Sequence, residues 1–392
     1  MKTYNFDEII ERKGTDCVKY DMLKEFFGNE NLTPLWVADM DFRTPEFIID
    51  ALKKRCEHPV FGYTFPSDEY FNSIIQWIGK LHNWDVRREW INFIPGIVRG
   101  IAFAIEHFTR KGDKVIIQPP VYHPFRLVPE GLGREIVNNP LRLIDGTYEM
   151  DFDNLESVID KKCKILILSN PHNPAGIVWK KETLQQLASI CAKHNILVIS
   201  DEIHSDMVFH SPDALCHHPF PTVSNEAAKC SITFAAPSKT FNIAGIVSSY
   251  AIVPDDSLRK EFYTFLEAGE YNSGSIFSYI ATTAAYSAEG EEWRRQMLDY
   301  VGKNIHFIDN FLKENIPQIK VYMPQASFLV WLDCKELGLN HKDLIDLFKN
   351  RAKLALNDGA MFGIEGNGFM RINVGCPRSI LEKALNNLKK AI

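Results

Sequence analysis

Residues 164–176 read KILILSNPHNPAG, and the same form recurs as ILVISDEIHSD over 196–206 and as SITFAAPSKTFNIAG over 231–245. Each stretch is a short apolar run without polar alternation that breaks into proline, glycine and hydrogen-bonding residues. Such a run is what a strand needs when helices cover both faces of its sheet. KVIIQ (Lys114–Gln118) is a further run of this kind, and KETLQQLASICAKHN (Lys181–Asn195) spaces its apolar residues as a crossover helix does. The pattern predicts an α/β fold whose large domain carries a mostly parallel sheet flanked by helices. After about Ser287 the texture changes. A long charged helix, EEWRRQMLDYVGKNIHFIDNFLKEN, leads to strands near Lys320, Phe328 and Met370 and to a helix from Arg378, which predict a smaller α+β domain. The expected division is a large domain over 46–287 and a small one over 288–392, with an N-terminal segment, 1–45, packing with the small domain.

The bulk properties narrow the function. The chain has 392 residues, 45% of them apolar, enough to bury a large core. Lys and Arg total 44 against 50 Asp and Glu, and the net charge of -6 offers no basic field to a nucleic acid or an anionic membrane. No apolar run nears the roughly 18 residues of a membrane span. The start, MKTYNFDEIIERKG, lacks the apolar core of a signal peptide, so a cytoplasmic location is expected. The eight cysteines are scattered, without C-x-x-C or zinc-ligand spacing. They read as reduced thiols, and no metal site is expected. A nicotinamide dehydrogenase is disfavoured because G-x-G-x-x-G is absent, and there is no P-loop.

In a doubly wound sheet, ligands bind beyond the carboxyl ends of the strands. Here three strand ends offer Asn170, Asn173, Asp201, His204 and Lys239. Taken singly, each has a plainer explanation. The lysine could be a solvated loop charge, Asp201 a helix cap, the asparagines turn residues before proline, and His204 a satisfied polar side chain. Their joint placement at successive strand ends favours one site. The set suits pyridoxal 5'-phosphate (PLP), whose ring nitrogen needs a carboxylate to stay protonated and whose aldehyde needs an unprotonated amine. Its phosphate suits a helix N-terminus and its ring face an aromatic side chain. Asp201, Lys239, the glycine-led helix of PGIVRGIAFAIEHF (Pro95–Phe108) and Tyr122 of PPVYHPF are the candidates.

In this order SNPHNPAG, DEIHSD, SKTFNIAG and FMRINVGCPR resemble the fold-type-I PLP enzymes of aminotransferase class I/II, over nearly the whole chain. PLWVADMDFRTP (Pro34–Pro45), VFGYT (Val60–Thr64), SDEIHSDMV and RINVGCPR are similar to the cystathionine β-lyase, or cysteine-S-conjugate β-lyase, branch. The resemblance implies Lys239 as the Schiff-base lysine and proton carrier, and Asp201 as the partner of the pyridine nitrogen. It implies Asn173 and His204 facing the ring oxygen, Tyr122 stacked on the ring, and Arg371 with Asn173 holding the substrate carboxylate. Backbone N–H groups of Ile97 and Val98 would cradle the phosphate, helped by Ser238 and by Tyr63 from a second subunit, which implies a homodimer with shared sites. Tyr122 as mere core and Arg371 as a structural ion pair are the competing readings of those two residues. Two positions depart from the class: Val247 stands where many members carry a phosphate-binding arginine, and Ala236 where many carry Ser or Thr. The implied activity is cleavage of L-cystathionine or another S-substituted cysteine to pyruvate, ammonia and a thiol. An aminotransferase acting on an L-amino acid is the alternative, and a regulatory or scaffold protein of the same fold is a third reading.

Overall fold

The computed structural model describes residues 2–209 and 215–392. At its centre lies a seven-stranded sheet made of β1 (Ile91–Ile94), β2 (Lys114–Ile117), β3 (Glu135–Asn138), β4 (Cys163–Ser169), β5 (Leu197–Asp201), β6 (Ser231–Ala235) and β7 (Ser249–Ile252). The order across the sheet is β1-β7-β6-β5-β4-β2-β3. Only β7 runs antiparallel to its neighbours; the other pairs are parallel. Residues along β4 alternate between two cores. Ile165 and Ile167 pack with Ile199, Ile232 and Phe234, whereas Leu166 and Leu168 pack with Val198, Leu184 and Leu187. Both faces are covered, which is why these strands read as continuous apolar runs.

The helices carry the same logic. Helix α1 (Ile97–Phe108) lies so close on the sheet that a Cβ at Gly100 would stand 2.8 Å from Ile94 and 3.0 Å from the Phe234 ring. A short helix, α2 (Pro124–Gly131), follows the loop after β2. The crossover helix α3 (Lys181–Lys193) stops before Asn195, where φ reaches 54°, a left-handed conformation that asparagine tolerates and that ends helices. Helix α4 (Ala288–Asn315) starts ahead of the charged run because the Ser287 side chain accepts the Gly290 N–H at 3.1 Å. Such a cap is worth about 1 kcal/mol.

Helix α4 leads into an antiparallel sheet of β8 (Lys320–Tyr322), β9 (Leu329–Asp333), β10 (Asn357–Asp358) and β11 (Phe369–Asn373), in the order β8-β9-β11-β10. The architecture is thus the predicted one, a mostly parallel sheet with flanking helices and a smaller α+β part. The N-terminal segment is tied to this smaller sheet. Thr33 and Pro34 pair in parallel with Leu354 and Ala355, Asn373 donates its N–H to Leu35 O at 2.9 Å, and Asp41 donates to Gly375 O at 2.7 Å. Fully buried Lys19 holds Asp41 at 2.8 Å, and Arg12 holds Asp39 and Asp41 at 2.8 and 2.6 Å. These ties set residues 38–41 as a strap beside the ends of the large sheet. Among the described residues no helix is long and apolar enough to cross a membrane.

Candidate active site

The residues that follow β4, β5 and β6 close around a cavity of about 320 Å³. That lies in the usual range for small-molecule sites, roughly 300–1,000 Å³. Asp201, the last residue of β5, is buried, and among the described residues its carboxylate accepts one hydrogen bond, from the Ile203 N–H at 3.1 Å. Burial pushes its carboxyl up to about 7, against the pull of that bond and of Lys239. No helix begins at Asp201, so capping is not its role.

Lys239 sits in the turn after β6 and donates Nζ to the Ala38 carbonyl at 2.7 Å. Burial lowers its amine to about 8; Asp39 and Asp201 oppose that shift and Arg371 adds to it. At pH 7 about a tenth of such an amine is unprotonated, against roughly 0.03% of an ordinary lysine. His204 is buried with Nδ1 lacking a partner. Burial, then the Lys239 and Arg371 charges, hold it down to about 3, so its ring stays neutral.

Asn173 and Tyr122 are locked together, since the Tyr122 N–H donates to Asn173 O at 3.1 Å, and both line the cavity. Arg371, on β11, stands behind Asn173 rather than in the wall. It donates to Asn173 Oδ1 at 3.1 Å, Trp36 O at 2.9 Å and Asn357 Oδ1 at 2.6 Å, while Nε has no partner. All three acceptors are neutral. Among the described residues no carboxylate pairs with it, so Arg371 is not a structural ion pair, and burial lowers it to about 10. A buried guanidinium without an acid is a ready partner for a carboxylate brought by a ligand.

The opposite wall is main chain. Gly96, at φ 104°, turns the backbone into α1 in a conformation only glycine adopts freely, and its N–H donates to Ser249 Oγ at 2.9 Å. Ile97 and Val98 follow as the first turn of α1, whose N–H groups have no partner within the helix and whose dipole favours an anion. Ser238, Ala236 and Val247 complete this wall. Val247 holds φ 56°, a strained position for a β-branched residue.

The arrangement fits PLP. It supplies a buried acid with no salt-bridge partner among the described residues, an amine with lowered basicity, a neutral histidine with a free ring nitrogen, and a helix N-terminus opened by glycine. Two sequence candidates lie elsewhere. Asn170 turns away, giving Nδ2 to His218 O at 3.0 Å, and Tyr63 is fully exposed and outside the cavity wall of its own chain. Sequence reasoning missed Ala38, which acts through its carbonyl, and Ser169, Ser249 and Arg99, which share the lining. Ala38, Ser169 and Arg99 lay inside motifs singled out beforehand and Ser249 did not; a carbonyl such as that of Ala38 leaves no side-chain signal.

A family model, Aminotransferase class I and II, matches residues 30–388. The chain belongs to aminotransferase class I and II. Within class I and II it is 41% identical to "Cystathionine beta-lyase PatB" of Bacillus subtilis, over 99% of this chain and 100% of that one. Cystalysin from Treponema denticola, whose crystal structure contains a pyridoxal 5'-phosphate cofactor, superposes with a TM-score of 0.94 at 34% identity, covering 100% of this chain and 99% of that one. The PLP-bound C-S lyase from Staphylococcus hominis gives a TM-score of 0.91 at 32% identity, over 100% and 98% of the two chains.

Proposed function

We propose that the protein is a PLP-dependent carbon–sulfur β-lyase that cleaves L-cystathionine or another S-substituted cysteine to pyruvate, ammonia and a thiol. The observation that carries the reading is Lys239 and Asp201 at one cavity, with an acid-free Arg371 behind the Asn173 of its wall, in a chain similar over its length to proteins named as such lyases. Bound PLP supplies a sink for the electron pair left at the substrate's α-carbon. Asp201 keeps the proton on the ring nitrogen, and Tyr122 covers the ring face. Asn173 and neutral His204 hydrogen-bond the ring oxygen. The N–H groups of Ile97 and Val98, with Ser238 Oγ, hold the phosphate; Val247 and Ala236 leave that work to them. Arg371 binds the substrate α-carboxylate with Asn173 beside it, which limits rotation at the reacting carbon. Lys239 would hold the cofactor through its amine and, in its neutral form, take the α-proton. The pair so released expels the sulfur as thiolate, a less basic leaving group than an alkoxide, and one water added to the three-carbon remainder gives pyruvate and ammonia.

The test is turnover of L-cystathionine by the purified holoenzyme without added 2-oxo acid. Pyruvate, ammonia and thiol should appear in equal amounts. Product that depends on a 2-oxo acid, with no thiol released, makes the protein an aminotransferase instead.

The working unit on this reading is a homodimer. Tyr63, Val60, Phe61 and Phe65 form an exposed apolar stretch, which soluble monomers rarely leave uncovered. Tyr63 would reach the phosphate in a second copy of the chain. Sedimentation should show a dimer, and Tyr63→Phe should weaken cofactor retention roughly tenfold, about the worth of one hydrogen bond to a charged group. A monomer with full turnover and tight cofactor would overturn the shared site.

A further inference from the structure

A second cavity, of about 360 Å³, lies against the first and shares Tyr122 with it. One wall is the loop after β2, the other the segment before β11. The Val121 N–H donates to Phe362 O at 2.8 Å and pins the two walls together. The Arg371 guanidinium lies 5.0 Å from the Phe362 ring centroid, so a substrate whose α-carboxylate sits on Arg371 starts its side chain beside this space.

The lining is apolar along its length, with Ile117, Val121 and Met361, and charged at separated points. Arg126 brings a guanidinium whose nearest acid, Glu130, is 3.8 Å away on a half-exposed flank. His123 brings a buried Nδ1 without a partner. Burial and then the Arg371 and Arg126 charges hold His123 down to about 4, which leaves it a neutral hydrogen-bonding group in a positive field. Glu365, on the other wall, has a buried Oε2 with no partner among the described residues. A buried acceptor of that kind costs about 1–3 kcal/mol unless something answers it.

We propose that this cavity receives the far end of the substrate's S-substituent and is built for a zwitterionic amino-acid head. Arg126 with His123 takes the distal carboxylate, Glu365 takes the distal ammonium, and the apolar lining covers the methylenes between. The protein then prefers thioethers with an amino-acid group at both ends. This inference rests on the β-lyase reading and deepens it.

Four substrates separate the contributions: L-cystathionine, S-(2-carboxyethyl)-L-cysteine, S-(2-aminoethyl)-L-cysteine and S-ethyl-L-cysteine. Arg126→Gln should lower kcat/KM roughly tenfold for the two substrates with a distal carboxylate, the size of one partly exposed charge-assisted hydrogen bond. Glu365→Gln should do the same for the two with a distal ammonium. S-ethyl-L-cysteine should react as before in both variants, which also shows that they fold. Equal losses on all four substrates, or no loss on any, overturn the subsite. An unsubstituted enzyme that releases no pyruvate from any of the four overturns the β-lyase reading itself.

Discussion

Replacing Lys239 with alanine is expected to lower pyruvate formation by roughly 10⁴-fold, the upper end of what a positioned general base supplies. The size follows from the double duty that the proposed function gives one amine, attaching the cofactor and carrying the α-proton. Its lowered basicity, about 8, comes from burial and has a separate signature. The unprotonated amine is the reacting form, so the rate at which apoenzyme takes up PLP should rise with pH and level off above about 8. An ordinary lysine would level off only above roughly 10. Borohydride reduction should fix the cofactor to the peptide containing Lys239. Fixation on another lysine, or a variant within tenfold of the original rate, would remove Lys239 from the chemistry.

Asp201→Ala should cost about 10²- to 10⁴-fold in turnover while the protein still folds, since breaking a buried charge pair costs about 3–5 kcal/mol. The same carboxyl has a measurable effect on the apoenzyme. Its folded value, about 7, is raised above the 3.8 of an ordinary aspartate, so the folded chain holds this proton more tightly than the unfolded one. Below about 4 both forms are protonated and the group contributes nothing. Between about 4 and 7 stability falls as pH rises, and above 7 the full penalty, on the order of 4 kcal/mol, is present. Asp201→Asn apoenzyme should therefore be more stable than the unsubstituted apoenzyme at pH 8 and no more stable at pH 4, read from urea midpoints. Identical pH profiles would show that the carboxyl is not desolvated, and turnover within a factor of a few in Asp201→Ala would show that it serves no ring nitrogen.

Much of the molecule was legible in the chain for local reasons. Continuous apolar runs this short, bounded by turn residues, fit strands covered on both faces, so Cys163–Ser169, Leu197–Asp201 and Ser231–Ala235 stood out, and the residues after them share one edge of the sheet. That edge holds Asn173, Asp201, His204, Ser238 and Lys239 around one cavity, and Tyr122, Ile97 and Val98 join them from neighbouring loops. Helix ends were less legible. They turn on single events such as the Ser287 cap and the left-handed Asn195, which periodicity does not register.

The order of elements and the identity of the strand-end residues were determined by the sequence, because period and turn chemistry act over a few neighbouring residues. Three things were decided only by the tertiary structure. The split between Asn173, aimed at Arg371, and Asn170, turned to His218 O, depends on what each meets across the fold. The acid-free surroundings of Arg371 are set by Trp36, distant along the chain, and by Asn357 on the paired strand β10. The carbonyl that holds Lys239 belongs to Ala38, brought there by the N-terminal strap. Burial is the common reason. The basicity of Lys239, Asp201 and His204 is governed by how much water the whole surrounding structure removes, which no stretch of sequence contains.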